Sequence, residues 1–389
     1  MKLTTFNPTL PKLKNLTKQL HISFKTRKLT NNQKNVILFE KKLKNLLKTK
    51  YNPVVFCNGE LALYSIIKAW KYKLGLNKRD NIKALVPSLT FVGTINALYL
   101  NNIQPVFCDV DQTLTIDVKS IKKIHKDVKF IVPVSVYGNI TNLPEILKFS
   151  KLNNLKCISD SAPGFGSSYN NKNINNFGID EIYSFHISKI FNTIEGGVAI
   201  TNNKSIHRIL RNLREFGQSN KKTGDVTMPG LNSKMQEFNA IVGINNLKFL
   251  NQDLKNRKKI IEKYQNFFNK LEAKKYIQLM KVEKNVMCQY LYFPIIVKSN
   301  REKFIKYLEK NNIIARKYYT SVKDLTFYKN KFKCYKENNC KCEKYCEIEN
   351  SLNYTESIKN KIVSLPLGSN ISTKKVDYLF ETILKYFND

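Results

Sequence analysis

Three short stretches place a chemically useful residue at the end of an apolar run, where open α/β sheets present their ligands. In Cys57-Asn58-Gly59-Glu60-Leu61-Ala62-Leu63 an Asn-Gly turn joins a strand-like run to a helical pattern. Backbone N–H groups at such a helix start attract an anion such as phosphate, although the same residues also make an ordinary structural turn. Glu60 suits the helix dipole but would repel a bound phosphate unless its carboxylate points away. In Cys157-Ile158-Ser159-Asp160 an apolar strand ends in an acid, which can pair with a cationic ligand atom or cap the next segment. In Ser184-Phe185-His186-Ile187-Ser188-Lys189, with Glu195-Gly196-Gly197 close behind, a lysine follows a buried strand. Desolvation there lowers an amine's pKa and makes it nucleophilic toward aldehydes; in a chain so rich in lysine the plain alternative is surface charge. His186 reads first as a packed, hydrogen-bonded residue.

The eight cysteines fall into two groups. Cys57, Cys108, Cys157 and Cys288 sit in apolar runs and are expected to behave as small core hydrophobes. Cys334, Cys340, Cys342 and Cys346 lie in a hydrophilic stretch whose spacing matches no paired C-x-x-C knuckle. A reduced surface insertion and a structural metal staple are both open there, and no metal is assigned.

The elements that would position these residues form an alternating pattern. Apolar or β-branched runs at 53–57, 84–87, 105–110, 130–136, 156–159, 182–185 and 197–201 predict strands. Between them, 60–70 puts Leu63, Ile66, Ile67 and Trp70 on one helical face, and 92–100 reads similarly. This is an α/β layer sheet. Beyond Asn202 the chain turns to Lys-rich helical stretches, including 235–254 with Ala240, Ile244, Leu247, Leu250 and Leu254 at helical spacing, continued by 255–271. A strand-like 289–297, a helix at 301–311 and a closing helix at 373–387 complete the pattern. The expected division is an N-terminal segment with a large α/β domain over 1–246, and a smaller α+β domain over 247–389 with a Cys-rich insertion near 329–350.

At 389 residues, 42% hydrophobic and 25% charged, the composition is that of a globular protein and argues against disorder or a disulfide scaffold. No apolar run approaches the ~18 to 20 residues needed to cross a bilayer. The start, MKLTTFNPTLPKLKNL, lacks an apolar signal region, so a cytoplasmic location is expected. Sixty-six Lys and Arg against thirty Asp and Glu give a net charge of +36, a field that attracts polyanions. The lysines are spread along the whole chain and no recognisable RNA- or DNA-binding motif accompanies them. A basic nucleic-acid-binding protein is therefore the alternative from a different class, while a phosphorylated small molecule would exploit the same field.

Taken in order, the pieces resemble the DegT/DnrJ/EryC1/StrS family of pyridoxal-phosphate-dependent nucleotide-sugar aminotransferases. The resemblance runs from Leu29-Thr30-Asn31 and Phe39-Glu40 through NGELALY, VPSLTFVGTINA, QPVFCDVD, VPVSVYGN, SDSAPGFGSSY, YSFHISKIFNTIEGG and PGLNSKMQEFNA to VSLPL at 363–367. It implies fold type I of these transferases: a large, mostly parallel α/β/α domain with a smaller C-terminal α+β domain. By matching position, Lys189 is the lysine expected to carry the cofactor and shuttle the proton, and Asp160 the carboxylate expected on the pyridine nitrogen. Phe91 matches the aromatic ring stacked on the cofactor. Phosphate contacts are expected from the backbone of Gly59 and Glu60, from the Ser184 hydroxyl and from Asn232 of a neighbouring subunit, which implies a homodimer with shared sites. Arg316 and Tyr319 are the candidates near the substrate. Two departures stand out: Glu60 replaces the Thr or Ser of many relatives, and Pro163 replaces their Gln or His.

The resemblance implies a cycle in which L-glutamate converts pyridoxal 5'-phosphate to pyridoxamine 5'-phosphate and leaves as 2-oxoglutarate. The amine then passes to a nucleotide-linked keto-deoxysugar, with C4 of a dTDP-4-keto-6-deoxyhexose, the viosamine type, preferred over a C3 ketone. The related sugar dehydratases carry histidine where Lys189 stands. Neither a membrane nor a specific nucleic acid is expected as a partner.

Overall fold

Strands buried on both faces read as nearly continuous apolar runs, and helices with one apolar stripe cover them. The computed structural model describes residues 2–388 except Phe6, Lys78, Arg79, Lys123, Lys221, Lys222, Lys274 and 332–351. The four clustered cysteines thus lie outside the described residues. Seven strands form the main sheet: β1 (Val54–Phe56), β2 (Ile82–Pro87), β3 (Ile103–Cys108), β4 (Val128–Ile131), β5 (Lys156–Asp160), β6 (Asp180–Ser184) and β7 (Gly197–Ile200). Their order is β1-β7-β6-β5-β4-β2-β3. β7 is antiparallel to both neighbours and the others run parallel, so β1, β5 and β6 end on the same edge.

Alternation along the strands feeds two cores. On one face Ala84, Val86, Phe130, Ile158 and Ile182 meet Leu63, Ile66 and Ile67 of α3 (Gly59–Lys73), Ile95 of α4 (Val92–Leu100) and Leu210 of α6 (Lys204–Arg214). On the other, Val55, Tyr183, Val198 and Ile200 meet Val36, Phe39 and Leu43 of α2 (Lys34–Leu47) and Ala240 and Ile244 of α7 (Glu237–Asn246). A second sheet, β8 (Ile277–Leu279), β9 (Phe293–Val297) and β10 (Ile362–Leu365), is antiparallel in the order β8-β9-β10. Tyr264 and Phe268 of α8 (Leu250–Ala273) pack onto Phe293, the Tyr264 and Phe293 ring centroids lying 5.0 Å apart. Leu379 and Ile383 of the closing helix Thr373–Asn388 share this cluster. No helix among the described residues is long and apolar enough to cross a membrane.

Three expectations are corrected. The helical stretch expected over 235–254 is two helices, because Asn245 and Asn246 are buried with their amides donating to the carbonyls of Ile241 and Asn192, and α7 ends there. Strand 289–297 shortens to β9, since the carbonyls of Gln289, Tyr290 and Leu291 accept from the Arg257 guanidinium and Tyr290 has a left-handed backbone. The run 130–136 is a regular strand only to Ile131: Pro133 has no N–H to offer, Val132 keeps an isolated bond to Leu85 and Val134 an isolated bridge to Asp160, and Val136–Gly138 forms a single tight turn. We propose a division near 246/247, at the end of α7, with the parts stitched together by Leu3–Thr4 pairing with Ile313–Ile314 and by Val322 and Tyr328 packing into the main-sheet core.

A buried ion pair ties three elements together. The guanidinium of Arg214 on α6, fully buried, donates to Glu40 on α2 at 2.6 Å and to the Val55 carbonyl of β1 at 2.9 Å. Glu40 in turn accepts from the Val55 N–H. Glu40→Ala leaves that buried charge with only the longer carboxylate contact, to Glu215 at 3.8 Å, and should lower stability by about 3 kcal/mol, read from urea unfolding. Lys119→Ala, which removes an exposed, solvent-screened pair with Glu145, should leave stability nearly unchanged; equal losses in the two variants would refute the assignment.

Glu181 on β6 is a buried acid in the same sheet, pushed up to about 7 by burial, with the nearby Ser161 and Tyr183 hydroxyls and the Asn175 N–H acting against the shift. A carboxyl whose folded pKa lies above its unfolded one favours the folded state when protonated. Its contribution is therefore full at low pH and falls by up to about 3 kcal/mol as pH climbs from the unfolded value to about 7. Glu181→Gln should lose this slope and gain stability relative to wild type between pH 5 and pH 8; parallel stability curves would contradict it.

Candidate active site

The chain leaves β1 through Cys57 and Asn58, and the Asn58 side chain caps α3 by accepting from the Leu61 N–H at 2.8 Å. Gly59 opens that helix against β6: a Cβ there would sit 2.7 Å from the Ser184 Cβ, so a larger residue would push the helix start away from Ser184. This close approach brings the backbone of Gly59 and Glu60, at the positive end of the α3 dipole, beside the Ser184 hydroxyl on one cavity wall.

Asp160 ends β5, is 5% exposed and faces the same cavity. One carboxylate oxygen accepts from the Ala162 N–H at 3.1 Å, the other from the Thr94 hydroxyl at 2.7 Å. Burial raises its pKa, opposed by those two donors and by the charge of Lys189. Lys189 sits in the turn after β6, its N–H bonded to the His186 carbonyl. Burial pushes its amine down to about 8, the Asp160 carboxylate acting against the shift. An amine so placed keeps an appreciable neutral, nucleophilic fraction near pH 7.

Phe91 caps α4 in an extended conformation and is 60% exposed on the cavity, its ring edge-on to Tyr319 with centroids 6.5 Å apart. Tyr319 is buried, with its N–H donating to the Tyr137 hydroxyl at 2.7 Å. The cavity holds about 330 Å³, within the range of small-molecule sites. Gly59, Glu60, Phe91, Asp160, Ser184, Lys189 and Tyr319 thus share one cavity.

Two expected site residues lie elsewhere in this chain. Asn232 is exposed, bridges the Glu215 backbone and accepts from Lys234, outside the cavity lining. Arg316 is exposed as well, exchanging backbone bonds with Ser364 while its Nε donates to the Thr5 hydroxyl at 3.4 Å. Pro163 lines the wall without an N–H to donate. His186 is hydrogen-bonded: its Nδ1 accepts from the Ser188 N–H at 3.2 Å, and its Nε2 lies 3.6 Å from Glu195.

Cys57 departs from its expected core role, being half-buried, whereas Cys108, Cys157 and Cys288 are buried free thiols. Among the described residues no group of three or more His, Cys, Asp and Glu is placed to hold a metal. The lining also includes Thr90, Thr94, Tyr292 and Tyr318, which the residue patterns did not single out. For the threonines a signal was present: they stand four apart across the start of α4 in Leu89-Thr90-Phe91-Val92-Gly93-Thr94.

The fold agrees with known proteins. The model of the DegT/DnrJ/EryC1/StrS aminotransferase family matches residues 13–384. The chain is 30% identical over 383 residues to the dTDP-4-amino-4,6-dideoxy-D-glucose transaminase of Shigella dysenteriae, covering 97% of this chain and 96% of that one. It is also 30% identical to the dTDP-3-amino-3,6-dideoxy-alpha-D-galactopyranose transaminase of Aneurinibacillus thermoaerophilus, over 90% of this chain and 89% of the relative. Among solved structures, NtdA from Bacillus subtilis with bound cofactor PMP superposes with a TM-score of 0.83 at 23% identity, covering 97% of this chain and 82% of the other. A family model spanning nearly the whole chain, together with these relatives, establishes that the protein is an enzyme of the DegT/DnrJ/EryC1/StrS aminotransferase family.

Proposed function

We propose that the protein is a pyridoxal-5'-phosphate-dependent aminotransferase that moves an amino group from L-glutamate to the C4 ketone of a nucleotide-linked 4-keto-6-deoxyhexose, dTDP-linked by preference. The observation that carries this reading is the presence in one cavity of an amine lowered to about 8 and a buried carboxylate, beside an aromatic ring with a free face. These groups fit the cofactor: an amine for its aldehyde, an acid for its ring nitrogen, a flat surface for its ring, and a helix start with a hydroxyl for its phosphate.

When bound, the cofactor supplies an aldehyde carbon that takes up an amino group and a protonated ring that accepts electrons. Asp160 holds the proton on the ring nitrogen. Lys189 Nζ would be the amine that holds the cofactor's aldehyde carbon, and the same amine would move the proton between the substrate carbon and C4'. Phe91 offers its exposed face to the ring. The N–H groups of Gly59 and Glu60 and the Ser184 hydroxyl hold the phosphate. Tyr319 borders the space left for the sugar, and Arg316, whose charge is felt at Tyr292 of the cavity wall, is assigned to the substrate's diphosphate. Asn232 is absent from the lining of its own cavity and is assigned to the site of a second copy in a homodimer. The similarity to the Shigella transaminase favours C4; that to the Aneurinibacillus transaminase keeps C3 amination as the second reading. A cytoplasmic setting suits the substrates.

The first measurement is the absorption spectrum with pyridoxal phosphate before and after L-glutamate. Wild type should show a visible band that glutamate bleaches, Lys189→Ala should lack it, and a protein without any band would sink the reading. Since the free amine is the nucleophile, cofactor capture should quicken about tenfold per pH unit below about 8 and level off above it; a flat profile would count against Lys189. Asp160→Ala should slow the glutamate half-reaction about a hundredfold or more while keeping the cofactor, and an unchanged rate would remove its assigned role. Mixing inactive Lys189→Ala with inactive Asn232→Ala should restore about a quarter of wild-type activity through hybrid dimers with one intact site. No restoration would place Asn232 outside a shared site.

A further inference from the structure

Asp160 could be held by its strand alone, yet α4 reaches across to it. Thr94 lies in the first turn of α4, three residues after the cap Phe91, and is 2% exposed. A threonine in a helix commonly turns its hydroxyl back to the carbonyl four residues earlier. Thr94 instead donates to Asp160, 66 residues away in sequence, at 2.7 Å. Its oxygen lies 3.0 Å from the hydroxyl of Thr90, which is 3% exposed. An ionised carboxylate can only accept, so the Thr94 proton points to Asp160. The Thr94 oxygen is then free to accept, and the Thr90 hydroxyl donates to it. The chain of hydrogen bonds has one direction, from Thr90 through Thr94 to Asp160.

We infer that Thr94, supported by Thr90, is a positioning residue that keeps Asp160 ionised and aimed at the cofactor's ring nitrogen. The inference rests on the function proposed above. With Ala162 bonded to one oxygen and Thr94 to the other, the carboxylate cannot rotate without breaking both bonds. Charge-assisted donors of this kind stabilise the anion that burial disfavours. The proton between Asp160 and the ring nitrogen therefore rests on nitrogen, where it makes the ring an electron sink. Without the Thr94 hydroxyl the carboxylate becomes more basic and draws that proton to itself. Because Phe91 caps the same helix, α4 sets the ring's stacking surface and its nitrogen partner together.

The test uses the full-length holoenzyme loaded with cofactor labelled with ¹⁵N in its ring. Thr94→Val keeps the shape and removes the hydroxyl. It should move the ¹⁵N resonance toward the unprotonated position and slow the glutamate half-reaction about tenfold. Thr90→Val should move both in the same direction by about two- to threefold in rate, and Thr94→Ser should restore both. A wild-type resonance at the protonated position, unmoved in Thr94→Val, would overturn the inference while leaving the aminotransferase reading intact. A slower Thr94→Val reaction with an unmoved resonance would also overturn it, since packing alone would explain the loss. Wild type that takes up no cofactor would instead strike the parent reading.

Discussion

Burying a carboxylate at the end of a parallel strand costs several kcal/mol unless donors surround it, and a buried amine carries a similar penalty. The site is organised around that constraint. Asp160 is surrounded by the Ala162 N–H, the Thr94 hydroxyl and the charge of Lys189, while Lys189 is left partly desolvated and so partly neutral. Each group tempers the other's shift, which lets one cavity hold a buried carboxylate beside an amine able to lose its proton. An exposed pair would have neither property, because solvent would screen the interaction and restore both ordinary pKa values.

Holding that arrangement is the task of the sheet. β1, β5 and β6 deliver Gly59, Asp160 and Ser184 to one edge because they run in the same direction, and the antiparallel return through β7 leaves room for the 185–196 loop that bears Lys189. The absence of a side chain at Gly59 lets α3 start against Ser184, so helix dipole and hydroxyl address the same space. On the far side, the buried Glu40–Arg214 pair locks α2, β1 and α6. The register of β1, and with it the start of α3, is thus tied to a contact remote from the chemistry.

Much of this was legible from short stretches of chain. The seven strand-forming runs and the helix at 92–100 emerge from alternation and spacing, since backbone geometry converts a period of 2 or 3.6 directly into a buried face. The readings that failed share a cause. The break between α7 and α8 and the irregular path through Gln289, Tyr290 and Leu291 depend on bonds to Asn192 and Arg257, partners distant in sequence. Apolar periodicity carries no trace of such bonds. Cys57 misled for the same reason, because an apolar run does not reveal that its last residue is only half-buried.

What the sequence by itself determined is the set of groups and the strand ends that carry them: Lys189 after one run, Asp160 closing another, Gly59 opening a helix. Contiguous residues suffice for that, since a strand's end and a helix's start are local events. Only the tertiary structure decided which of these groups meet. It brought Tyr319 into the cavity with Phe91, left Asn232 and Arg316 outside its lining, and set Thr94 against Asp160. Those outcomes follow from sheet order and helix packing, in which residues tens to hundreds of positions apart become neighbours through the summed burial of many side chains.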